Sequence, residues 1–169
     1  MDDYKATRQG SRNLVLTRND IEKGRAVYHK WSTSKADLTM ADGSTYILRP
    51  KGVWHTSTEI TQDGRVLATY KLTWRKGTEL NTYFDVISEQ YHLRLKGFWK
   101  GKYELQDANK EPVLSIVSSF SWKGFRTTYH IQPSVALERS SHKDLLVMIT
   151  LCCLLQQHQA QASGAGAAG

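Results

Sequence analysis

Six histidines, two adjacent cysteines and sixteen carboxylates are the side chains here with catalytic or metal-binding potential, and their spacing decides whether they can act together. His29, His55, His92, His130, His142 and His158 are scattered, and no two fall at the i, i+4 spacing that sets two metal ligands on one helix face. Cys152 and Cys153 sit among leucines with no partner at ligand spacing. Free cysteine in such company behaves as a small hydrophobe, so both read as core thiols of a reducing compartment. Ser118-Ser119 and Ser140-Ser141 have no paired base in the sequence, and no Gly-x-Ser-x-Gly, phosphate loop or dinucleotide fingerprint occurs. The expectation is a non-enzymatic chain with no catalytic residue, metal or cofactor.

A different chemistry recurs at glycine-marked turns. Basic and aromatic residues fall together in RPKGVW (49–54), WRKG (74–77), LKGFWKGK (95–102) and WKGFR (122–126). If these turns share one end of the molecule, Arg94, Lys96, Lys100, Lys102, Lys123 and Arg126 form a cationic rim with aromatic edges. Such a rim suits phospholipid headgroups on an anionic membrane surface, or an acidic protein. Single-stranded nucleic acid, which combines stacking with phosphate contacts, ranks below these. The net charge of +7 and pI near 9.4 agree with an anionic partner without choosing it. The plainer alternative is that the tryptophans pack in cross-strand pairs while the lysines keep strand edges soluble.

The elements that must hold these turns are strands. Val66, Ala68, Tyr70 and Leu72 alternate with Thr69, Lys71 and Thr73; Tyr91, Leu93 and Leu95 alternate with His92, Arg94 and Lys96; and Phe125, Tyr129 and Ile131 alternate with Arg126, Thr128 and His130. Asp42-Gly43 and Asp63-Gly64 mark tight hairpins. The spacing predicts about eleven strands between Asn13 and Gln132, among them 25–31, 81–88 and 90–96, with a twelfth concealed in the first thirty residues. Residues 59–77 and 103–124 echo one another, as two similar hairpin units would. Residues 1–12 are expected to be a flexible N-terminus without the apolar stretch of a secretory signal, 13–158 one domain, and 159–169 a disordered tail. Cytoplasmic residence follows from these readings.

Leu145 to Leu155 is apolar except for Thr150. Eleven residues are too few to cross a bilayer, which takes about 20, and the run lacks the polar face of a surface helix. Ser141 with Asp144 reads as a capping box, and the helix is expected over about 143–157. Burial on all sides fits a helix inside a closed barrel: eleven residues span roughly 16 Å, and tilted strands of six to eight residues give a barrel roughly 15–20 Å tall.

This order of elements, with hairpins of the type YELQD…VLSI…W before a hydrophobic helix, resembles the tubby C-terminal-like superfamily of tubby proteins, phospholipid scramblases and LURP-one-related proteins. Residues 96–114, KGFWKGKYELQDANKEPVL, are most similar to its bacterial and LURP-one-like versions, and the resemblance spans Leu14 to Gln157. It implies a twelve-stranded antiparallel barrel threaded by its C-terminal helix. Eukaryotic tubby domains bind phosphoinositides, but their signature segments are missing from this sequence, as is the acidic calcium-binding segment of the scramblases. Two other readings stay open: a small-ligand carrier of lipocalin type, on a faint Gly-x-Trp at Gly52-Val53-Trp54, and a protein–protein interaction module.

Overall fold

The computed structural model describes residues 3–29, 34–52, 57–73, 77–97 and 101–167, with side chains up to 162. Twelve strands follow in chain order: β1 (Tyr4–Gln9), β2 (Asn13–Arg18), β3 (Ile21–Tyr28), β4 (Ala36–Met40), β5 (Thr45–Lys51), β6 (Ser57–Gln62), β7 (Arg65–Thr73), β8 (Gly77–Thr82), β9 (Glu89–Lys96), β10 (Lys102–Asp107), β11 (Pro112–Ser121) and β12 (Arg126–Pro133). Two helices, α1 (Val135–Glu138) and α2 (Lys143–Ala167), complete the chain. Each strand pairs antiparallel with its sequence neighbours, and β1 closes the sheet by pairing with β12, Tyr4 opposite Ile131 and Arg8 opposite Thr127. The result is the closed antiparallel barrel with a C-terminal helix that the alternation and the leucine run predict.

The pleat sorts the side chains. Inward positions such as Leu14, Leu16, Leu38, Leu48, Leu93, Leu105, Ile116 and Ile131 are fully buried, while outward neighbours such as Lys5, Arg25, Arg94 and His130 are exposed. An apolar inside and a polar outside reverse the pattern of a barrel that faces lipid. Among the described residues, no helix is long and apolar enough to cross a membrane.

Helix α2 fills the interior. Leu145 to Leu155 are buried on every side, and the partners of α2 come from strands around the whole barrel. The Tyr4 hydroxyl on β1 donates to Asp144, Met148 lies against Gly24 on β3, Thr58 on β6 donates to Gln156, and Thr78 on β8 donates to Gln157. Gly24 faces inward without a side chain, and the space it leaves is taken by Met40 and Met148. These contacts order the helix along the barrel axis. Its N-terminus enters beside the start of β1, and it leaves past the starts of β6, β8 and β10.

Several expectations need correction. The N-terminus is not flexible from 1 to 12: residues 4–9 form β1, with Tyr4 and Ala6 buried. Its six residues carry only two inward apolar side chains, too short a pattern to stand out. The strand expected at 81–88 lies instead at Gly77–Thr82, because its inward positions include Thr78 and Thr82, buried threonines that sequence patterning scores as polar. Phe125 does not continue the inward row of Tyr129 and Ile131 but sits in the β11–β12 turn with φ of 50°. Helix α2 continues to Ala167, through the segment expected to be a tail. Asp144 spends its carboxylate on Tyr4, and it is Ser140, not Ser141, whose hydroxyl accepts from a backbone N–H, that of His142.

The echoed segments do form equivalent hairpins. β6–β7 and β10–β11 each carry a register shift near their turn, between Ile60 and Thr61 and between Leu105 and Gln106. A third shift in β2–β3, between Leu16 and Thr17, places such a bulge at every fourth hairpin around the barrel. Bulges sharpen local twist, which suits closure.

Candidate functional site

Alternating strand direction divides the connections between two ends. At the end where α2 enters lie the tight turns at Asn19-Asp20, Asp42-Gly43 and Asp63-Gly64, the β8–β9 loop and the β10–β11 turn; at the other, where α2 leaves, lie the connections β1–β2, β3–β4, β5–β6, β7–β8, β9–β10 and β11–β12. The described parts of the basic–aromatic turns, Arg49 to Gly52, Gly77, Leu95 to Gly97 with Gly101 and Lys102, and Trp122 to Arg126, therefore fall at the helix-exit end. Trp54, Trp74 and Lys100 belong to parts of these turns outside the described residues.

Of the candidate residues, Arg94, Lys96, Lys102, Lys123 and Arg126 are exposed and lie on the four consecutive strands β9 to β12 or their turns. Lys96 and Lys102 stand directly opposite each other across β9 and β10, a like-charge pairing that costs stability. Lys96 reaches diagonally to Glu104, Nζ to Oε1 at 2.9 Å. Burial works against the Glu104 carboxylate, but hydrogen bonds from Gln106 and Lys96 hold it below its ordinary pKa. Among the described residues no carboxylate pairs with Arg94, Lys102, Lys123 or Arg126.

The carboxylates near this end are already engaged. Glu59 takes Arg49 at 2.8 Å and Lys51 at 3.7 Å, Asp37 takes His29 at 2.8 Å, and Glu79 accepts from Gln90. His158 meets the Tyr103 hydroxyl at 2.6 Å where α2 leaves. Burial, and then the charge of Arg8, hold its pKa below the usual histidine value.

Aromatic exposure is concentrated on the same side. Trp122 is 80% exposed, Phe125 75% and Phe120 52%, with Phe120 and Trp122 edge-to-face at 5.2 Å. β11 pairs with β10 only up to Val117, opposite Lys102, whereas its pairing with β12 runs on to Ser121. The β11–β12 hairpin therefore projects past β10. Sequence reasoning found this turn as WKGFR but placed Phe125 in the core.

The helix-entry end is built differently. Arg18 holds Glu138 of α1 and lies over the Tyr4 ring, 4.6 Å from its centroid, while Lys143 reaches Glu138 at 3.3 Å. This clasp fastens the α1–α2 connection across β1 and β2. The Arg18 guanidinium, with help from Lys143, keeps the Glu138 carboxyl below its ordinary pKa. Beside it opens a cleft of about 420 Å³ whose walls include Phe84, Asp85, Glu89, Tyr91, Asp107 and His142. It was not legible in the sequence, since its walls are assembled from three separate connections, β8–β9, β10–β11 and α1–α2, and the elements beside them.

A closed barrel plugged by its own helix, with one cationic and aromatic end, defines the class of structure. Comparison of the chain with protein-family models, curated proteins and solved structures found no match.

Proposed function

We propose that this chain is a non-enzymatic module of tubby-like kind that docks its helix-exit end on an anionic membrane surface. Arg94, Lys96, Lys102, Lys123 and Arg126 meet phospholipid headgroups, and the β11–β12 hairpin enters the interface. The observation that carries the reading is the shared end of the four basic–aromatic turns, with unpaired cations beside exposed Trp122 and Phe125. Tryptophan and basic side chains together suit the headgroup layer. Twelve strands around an internal helix support kinship with the tubby-like group. Two buried free thiols suit a reducing compartment such as the cytoplasm. The carrier reading loses ground because α2 occupies the space a ligand would need.

Vesicle flotation tests the proposal. The protein is expected to float with vesicles containing phosphatidylserine, to stay behind with pure phosphatidylcholine, and to be released by high salt. At about 1 kcal/mol per cation, Lys102→Glu, Lys123→Glu and Arg126→Glu together weaken binding on the order of a hundredfold. Equal recovery on neutral and acidic vesicles would overturn it.

A further inference from the structure

The same hairpin has a complementary surface at the opposite end of the barrel. We infer that copies of this chain associate head to tail, the β11–β12 hairpin of one copy seating in the helix-entry cleft of the next.

The charge distribution favours this pairing. Eleven of the sixteen carboxylates in the sequence lie at the helix-entry end, Asp85, Glu89 and Asp107 among them, against seven lysines and arginines there, so this end is net acidic. The helix-exit end carries the unpaired cations described above. The cleft matches the hairpin in chemistry as well as sign. Asp85, Glu89 and Asp107 face it, and among the described residues no lysine or arginine lines it. Phe84, Tyr91, Val113 and Leu137 supply apolar wall. Its volume of about 420 Å³ has room for an indole ring with a lysine stem beside it. Trp122 and Lys123 at the tip of a hairpin that stands clear of β10 are such a pair. Tryptophan seated in a pocket is among the commonest anchors of an interface hot spot.

Hairpin and cleft lie at opposite ends of one rigid barrel, so neither can meet its mate within a single copy. The contact is heterologous, joining two different patches, and adds copies in a row rather than closing a two-fold dimer. A hairpin buried in a neighbour is also withheld from a membrane. Association nevertheless stands apart from the lipid reading, because it requires no lipid.

Sedimentation velocity of the lipid-free full chain tests it. In low salt the mass is expected to rise above the 19.2 kDa monomer with concentration, and to return to it in high salt. The hairpin variant Trp122→Ala/Lys123→Glu and the cleft variant Asp85→Asn/Glu89→Gln should each remain monomeric, with unchanged melting curves. Mixed in equal amounts they should give a one-to-one dimer and nothing larger, since each retains one competent end. Asp85→Lys alone, on an exposed loop, replaces the cleft variant if that one misfolds. A wild-type chain that stays monomeric at every concentration, a variant that assembles by itself, or a mixture that stays monomeric would each overturn the inference.

Discussion

At Gly77 the chain enters β8 with φ of +84°, and a methyl group there would stand 2.1 Å from the Leu93 carbonyl oxygen on β9. The obstacle is backbone in a paired strand, so it cannot swing aside as a side chain would. Gly77→Ala combines this clash with a left-handed conformation that alanine resists. It is expected to cost about 3 kcal/mol or more, lowering the melting temperature by roughly 6–12 °C for a chain of this size. Gly24→Ala is the control, since the atoms nearest its added methyl are the ends of Met40 and Met148, which can move. Calorimetry of the two variants measures the difference, and equal losses would show that backbone contact is not the cause. Gly77 also shows where residue-level reading stops. The sequence marks it as a turn glycine, but the partner it must clear lies sixteen residues on, across a strand pairing that only the folded sheet defines.

Among the elements, α2 was the most legible, because eleven successive residues without a polar face leave few places to go. β1 was the least, since its place in the sheet depends on β12, more than a hundred residues away, and not on a pattern of its own. The four basic–aromatic turns were readable as motifs. Their common end depends on pairing order: every second connection shares one end only where successive strands pair antiparallel in sequence, and the folded sheet is what defines that order. Burial on all sides of α2 carries its own prediction. Ile149, Leu154 and Leu155 project from different sides of the helix, and each is at most 2% exposed. Truncating each to alanine is expected to cost about 2–5 kcal/mol. A helix lying on a sheet would instead show one tolerant side, with a loss within about 0.5 kcal/mol. Urea titration of the three variants separates the cases.

For the whole molecule, the closed barrel makes one environment of its interior, and several ionisable groups share it. Burial pushes the Cys152 thiol up to about 11 from an ordinary 9.0, and burial with the added influence of Cys152 raises that of Cys153 well above 9.0. Burial likewise raises the Tyr129 phenol to about 12 and moves those of Tyr28 and Tyr70 well above 10.0. Each of these groups is neutral when protonated, so the fold favours the protonated form. Above pH 9 the unfolded chain loses its thiol protons while the native barrel keeps them, and above pH 10 the phenols follow. The unfolded state then binds fewer protons than the native one, and stability falls as pH rises. The melting temperature is expected to hold steady from pH 7 to 8 as far as these groups govern it, then to decline through pH 9–11 under reducing conditions. Replacing both cysteines by alanine removes the earlier part of the decline and moves its onset toward the phenol range, at the cost of some packing against Tyr28. Calorimetry across this range reads both effects. A wild-type melting temperature unchanged to pH 11 would mean that water reaches these groups, and that the helix does not seal the barrel.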